Sequence, residues 1–259
     1  MWELEVPKPS YIIQKKVDDT LRVIMIGDSW AEKMHLCIGD TILRDRIAFL
    51  VGEKVSFESR GRGGEKSRGI YDYIFLSDYP GTRLLMSSSP DYCIILAGIN
   101  DAAANLGTKQ FVHHYHLILN FLLNNNIKPV IVEIPDVKIW NLYSQKPIKD
   151  FLSDFLRSTM TGSGMYDFSG YRHALNKMLI DEQLMDSVVF VPMSCWNDCS
   201  PEIDRKLFDE DLIHLNNNGY NKLCLCIAEA ISIDLKDRVY STFSNEPMGK
   251  NAHCCAKNN

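Results

Sequence analysis

The sequence predicts an α/β fold: a parallel sheet with helices on both faces. Two observations carry this. Five short runs read as strands, Leu21–Ile26, Lys54–Glu58, Tyr92–Ala97, Pro129–Ile134 and Val188–Val191. The first is apolar with little alternation, the pattern of a strand buried on both faces. Between the runs lie stretches of helical periodicity, and strand–helix alternation at this spacing gives right-handed crossover units.

Taken in order, residues 1–20 form a polar lead-in. The first strand stops at Gly27-Asp28, and Trp30-Ala31-Glu32-Lys33-Met34-His35-Leu36 opens a helix expected over about 30–49. A glycine-rich stretch, Ser59 to Ser67, separates the second strand from a helical pattern at about 67–87. The third strand gives way to Gly98-Ile99-Asn100-Asp101, then to a helix at about 107–125. The connection from about 138 to 186 is much longer than a usual crossover and holds two helices within 148–185. Its Ser158–Gly164 stretch reads as too polar and glycine-rich to be buried, and excursions of this length serve as lids or as surface decoration. A last helix is expected at about 217–234. The reading is one domain over 21–235, with an insertion at about 138–186 and a polar tail over 236–259 that frays from about Val239.

Bulk chemistry narrows the function. Hydrophobic residues make up 46% and charged residues 24%, so a sizeable core is available. A net charge of −5 without a long basic run gives no electrostatic basis for a nucleic-acid or anionic-membrane partner. No apolar run approaches a membrane span, and the first residues contain no apolar signal core, so a cytoplasmic location is expected. Of eight cysteines, Cys37, Cys93, Cys224 and Cys226 lie in apolar stretches and are expected to be buried. His253-Cys254-Cys255 and Cys195-x-x-x-Cys199 fit none of the usual zinc spacings. His113 and His116 share a helix face without a matching carboxylate, so that face is expected to be solvated and no metal is assigned.

Four short stretches fall at strand ends or helix starts, and the ends of parallel strands converge in space. Ser29 follows Gly27-Asp28, at a helix start whose free N–H groups suit a developing oxyanion. A serine there also caps helices, so both roles stand at this point. His214 has the right range to act as base, and Asp211, three residues earlier, can reach its other ring nitrogen. The backbone N–H groups of Ser29 and Gly64 and the side-chain amide of Asn100 are the available oxyanion donors. Glycine at 64 is expected because a backbone that approaches a ligand closely has no room for Cβ. Each stretch also has a plain reading as turn, cap or solvated loop; their order along the chain is what favours acyl transfer from serine. Trp30, Trp140 and Trp196, with Tyr143, lie near the presumed site and are candidates either for substrate contact or for interior packing.

These blocks resemble those of the SGNH hydrolase superfamily, the GDSL-type esterases and lipases. Gly27-Asp28-Ser29 resembles its first block and Ser59-Arg60-Gly61-Arg62-Gly63-Gly64 its second. Gly98-Ile99-Asn100-Asp101 is its G-x-N-D, and Asp211-Leu212-Ile213-His214 its D-x-x-H, followed by Asn216 to Tyr220 as N-x-x-G-Y. The resemblance spans about 21–234. It implies a flavodoxin-like three-layer α/β/α sandwich, with neither a metal nor an organic cofactor. Trp30 stands where the family often has Leu or Tyr, and Leu212 and Leu215 replace a common Gly and Pro. The expected activity is hydrolysis of a short-chain, acetyl-type ester of a carbohydrate or similar small polar substrate. An O-acyltransferase with the same acyl-enzyme and a silent carbohydrate-binding protein on the same fold are the alternatives. The preference for a short acyl group rests on Trp30 and on the lack of a long exposed apolar stretch.

Overall fold

A computed structural model describes residues 9, 11–16, 18–77, 79, 81–135, 137, 147–162, 164–193 and 206–243. Five strands, β1 (Leu21–Gly27), β2 (Val55–Gly61), β3 (Tyr92–Leu96), β4 (Lys128–Val132) and β5 (Val189–Val191), form one all-parallel sheet in the order β2-β1-β3-β4-β5. This is the flavodoxin-like order, and the chain reverses direction across the sheet after β2. The switch leaves a crevice at the carboxyl ends of β1 and β3. Burial follows position. Central β3 is buried at every residue, whereas edge strand β2 alternates buried Val55 and Phe57 with exposed Ser56 and Glu58.

Nine α-helices are described: α1 (Ser29–Lys33), α2 (Thr41–Val51), α3 (Ser67–Phe75), α4 (Thr82–Ser87), α5 (Ile99–Ala103), α6 (Thr108–Asn124), α7 (Ile148–Thr161), α8 (Phe168–Asp181) and α9 (Asn217–Phe243). Helix α9 packs on α2, β4 and β5, while α3, α6 and α8 pack in sequence as a second layer. The aromatic side chains of Trp30, Tyr92, Phe111, Tyr115, Tyr171 and Tyr220 fill the interior between layers and sheet. Among the described residues no helix is long and apolar enough to cross a membrane.

Several expectations are corrected. The helix expected over 30–49 is three pieces: α1, a π-helical turn at Met34–Ile38, and α2, which restarts after Gly39 at φ 83°. The pattern at 67–87 divides into α3 and α4, because Gly81 at φ 103° turns the chain before α4. Cys37 is exposed on the π turn, while Cys93, Cys224 and Cys226 are buried as expected. Ser158–Thr161 is not loop but the last turn of α7, and Ser158 is buried with its hydroxyl donating to the Phe155 carbonyl. The final helix runs past Val239 to Phe243. The candidate aromatics Trp140, Tyr143 and Trp196, together with Cys195, Cys199 and His253–Cys255, lie outside the described residues.

Candidate active site

The site grows from the junction of β1 with α1. Asp28 Oδ1 accepts from the Trp30 N–H at 3.0 Å, so Asp28 is the helix cap and Ser29 is the first helical residue. The backbone N–H groups of a first turn have no intrahelical acceptor, which leaves that of Ser29 available at the sheet's carboxyl edge. The end of β2 abuts the same turn. A Cβ on Gly61 would sit 2.4 Å from both the Asp28 carbonyl oxygen and the Glu32 nitrogen, so only glycine lets the strand approach. Gly64, in the next turn, has a φ of 73°, a second reason for glycine, and no protein atom lies within 4 Å of where its Cβ would stand.

On the other side of β1, the β3–α5 turn delivers Asn100 and Asp101. Asn100 Nδ2 donates to the Glu65 carbonyl at 2.9 Å and reaches Asp28 Oδ2 at 3.4 Å. Its amide thus ties the Gly64 turn to the β1 end. Asp101 is buried and accepts from the Ser67 N–H at 3.0 Å and the Ser67 hydroxyl at 2.6 Å, fastening α3 to α5. Burial raises the pKa of both acids. It pushes Asp28 up to about 7 against the opposing Trp30 N–H bond, and the negative charge of Asp101 adds to the rise. For Asp101 the bonds from Ser67 only partly offset burial.

The third contribution comes from the loop before α9. Phe208 and Leu215 form an isolated antiparallel bridge, and the Asp209 N–H donates to the His214 carbonyl at 2.7 Å, closing the loop on itself. Leu212 is held at φ 56°, where an L side chain crowds the backbone. Inside the loop, Asp211 Oδ1 accepts the N–H groups of Ile213 and His214, each at 2.9 Å. Its Oδ2 lies 2.5 Å from His214 Nδ1, and His214 Nε2 lies 3.0 Å from Ser29 Oγ. Burial alone would raise the Asp211 pKa, but the bonds from the His214 ring and from the two backbone N–H groups outweigh it and hold the carboxyl below its usual range. A ring proton on Nδ1, facing Asp211, leaves Nε2 to accept a hydrogen bond from the Ser29 hydroxyl.

Residues assigned no such role from the sequence hold this meeting in place. The Trp30 indole N–H donates to the Ile213 carbonyl at 3.1 Å, and the Tyr220 hydroxyl donates to the Trp30 carbonyl at 3.0 Å. Lys33 Nζ pairs with Asp209 Oδ2 at 2.5 Å and donates to the Leu215 carbonyl at 3.2 Å. Trp30 is only 2% exposed, so the ring expected beside the substrate belongs mainly to the interior. It still forms part of a recess of about 10 Å³, room for about one water, with Asp28, Leu96, Ala97, Ile99 and Ile134. The sequence carried a partial signal: Tyr220 closes the Asn216–Tyr220 block, and Trp30 directly follows Ser29. Among the described residues no group of three or more His, Cys, Asp or Glu side chains stands close enough to hold a metal ion.

A five-stranded parallel sheet in this order, with serine, histidine and aspartate meeting at its carboxyl edge, defines the class as an α/β protein with a hydrolase-type constellation. More closely, the chain belongs to the GDSL-like Lipase/Acylhydrolase family, the SGNH hydrolases, whose family model matches residues 25–222. It is therefore a carboxylic ester hydrolase, which removes the silent binding protein from the alternatives. Solved structures agree in fold. The lipase/acylhydrolase from Enterococcus faecalis is 13% identical at a TM-score of 0.58, covering 82% of this chain and 95% of that one. The acetyl xylan esterase AlAXEase is 16% identical at 0.56, covering 81% and 97%. The psychrotrophic esterase EstA from Pseudoalteromonas sp. is 14% identical at 0.54, covering 85% and 99%. No individual curated protein is similar enough in sequence to add to this.

Proposed function

We propose that residues 21–235 act as one hydrolase domain, with the 138–186 connection as its insertion, in which Ser29 is the nucleophile, His214 the general base and Asp211 the group that orients it. The observation carrying this reading is the chain of contacts from Ser29 Oγ through both nitrogens of His214 to Asp211. Ser29 Oγ attacks the ester carbonyl while its proton passes to His214 Nε2. The resulting imidazolium is held by the Asp211 carboxylate, whose lowered pKa keeps it charged. The tetrahedral oxyanion is met by the N–H groups of Ser29 and Gly64 and by Asn100 Nδ2, which gives up its long contact to Asp28 and keeps the bond to Glu65. His214 then returns the proton to the leaving alcohol. Water, deprotonated by the same imidazole, attacks the acyl-enzyme, and His214 returns that proton to Ser29 Oγ as the acid leaves.

The acyl group is short, most simply acetyl, and the alcohol is a carbohydrate or a similar polar molecule. Support comes from the recess beside Asp28, which is small and walled by Trp30, Ile99 and Ile134. The second premise drawn from the sequence does not stand, because α7 exposes a long apolar face. The short-chain preference therefore rests on the recess alone. Two measurements test the proposal. A fluorophosphonate probe labels Ser29 in wild type and leaves Ser29→Ala unlabelled; labelling at another residue would sink the assignment. Across aryl esters of increasing chain length, kcat/KM falls beyond the shortest acyl groups, and a rising series would overturn the acetyl reading while leaving the nucleophile in place. Product analysis with an added alcohol acceptor separates hydrolysis from acyl transfer.

A further inference from the structure

Helix α7 is amphipathic, but its faces are reversed with respect to the protein body. Its buried residues are polar: Asp154 accepts from the Tyr166 hydroxyl at 2.9 Å, and Ser158 bonds within the helix. Further contacts fasten the same helix to the end of α5, with Arg157 donating to the Ala104 carbonyl at 3.0 Å and Thr161 to that of Asn105 at 3.4 Å. The opposite face is apolar and in water. Ile148 is 79% exposed, Leu152 52%, Leu156 60% and Met160 87%, with Phe151 and Phe155 exposed alongside. In a monomer this arrangement has no energetic reason, because the usual helix turns such a stripe toward the core.

We propose that this face pairs with the same face of a second copy of the chain, forming a two-fold dimer through α7. Area supports the assignment. The six exposed residues present roughly 700–800 Å², more than the largest patch of an ordinary monomer and close to the about 800 Å² per partner of a standard interface. Shape supports it as well. Ile148, Leu152, Leu156 and Met160 recur every four residues and form one ridge, with Phe151 and Phe155 on the neighbouring row. Ridges of this spacing interdigitate with identical ridges in the commonest class of helix packing, and a self-complementary patch is what a two-fold axis requires. A lipid surface fits less well. Surface-seeking helices border their apolar face with a belt of Lys and Arg. Here only Lys149 and Arg157 qualify, Arg157 is already bonded to Ala104, and Asp150 stands among them on a chain of net charge −5. The long stem of Lys149 can cover part of the stripe while its ammonium stays in water.

The test is sedimentation equilibrium of the full chain over the micromolar range, with the double variant Leu152→Glu/Leu156→Glu alongside. Wild type sediments at twice the chain mass, and the variant dissociates at least about 100-fold more readily, since facing carboxylates at a closed interface repel. Both substituted positions are exposed in the monomer, so the variant keeps its circular dichroism spectrum and its turnover of an aryl acetate. Monomeric wild type at every concentration overturns the proposal, as does a variant that dimerises equally well. Cosedimentation of monomeric wild type with phosphatidylcholine vesicles overturns it in favour of a lipid surface.

Discussion

The loop at 206–216 and helix α7 both lie outside the sheet, yet they treat their polar groups in opposite ways. The loop turns Asp211, His214 and Asp209 toward one another and toward α1, so its charges are consumed in contacts that set an imidazole against Ser29. Helix α7 spends its polar face on attachment to Ala104, Asn105 and Tyr166, and leaves its apolar face to water. One region is organised around a reaction within the chain, and the other around a surface beyond it. Substitutions should therefore separate cleanly: changes in the loop reach turnover, while changes on the outer face of α7 reach association.

The largest expected effects lie in the loop and its partner. Ser29→Ala or His214→Ala lowers kcat for a simple aryl acetate by at least about 10⁴-fold with thermal stability little changed, whereas Asp211→Asn loses about 10- to 100-fold less. Equal residual rates in all three would erase the distinction between the base and the group that orients it. A second contrast is in stability. Burial pushes the Asp28 carboxyl up to about 7, from an ordinary aspartate value of about 4. Its contribution is complete below about pH 4 and is lost as pH rises through about 7, a change of about 4 kcal/mol by linkage. Asp28→Asn does not titrate, so urea unfolding should show the variant gaining on wild type by an amount of that order between acid and mildly alkaline pH. A pH-independent difference would mean that Asp28 is charged in the fold.

Smaller effects test how the loop is held. Trp30→Phe removes the bond to the Ile213 carbonyl and leaves that acceptor without its indole partner, at a cost of about 1–2 kcal/mol. A loss in kcat without a matching loss in KM would mark Trp30 as a positioning residue for His214. Smallest of all, Leu212→Gly relieves the left-handed backbone at φ 56° and should change stability by about 1 kcal/mol or less, measured by denaturant unfolding. Here two terms oppose: glycine removes strain in the folded loop but adds freedom to the unfolded chain. A marked loss of activity on this change would show that the Leu212 side chain itself places the imidazole.

The strands and the meeting of Ser29, Asp211 and His214 were legible because each depends on local pattern: an apolar run, a junction, a three-residue spacing. What the sequence hid depends on facing. Periodicity identifies Ile148–Thr161 as amphipathic but is silent on which side meets the protein, and here the polar side does. The break at Gly39 was missed because the helical pattern on either side of it continues, and Cys37 followed the same error to the surface. At Gly64 the letter alone does not show the left-handed φ of 73°, which depends on the course of the turn. Trp30 stands out in the sequence as the neighbour of Ser29, while its indole bond to Ile213 spans 183 positions and leaves no local trace.

Ser29 and His214 stand 185 positions apart, and their contact forms only when the loop before α9 lies against α1. A fragment that lacks either the β1–α1 junction or the loop before α9 holds the serine or the imidazole alone, so on the proposed mechanism two separately silent fragments should regain turnover only when they reassemble.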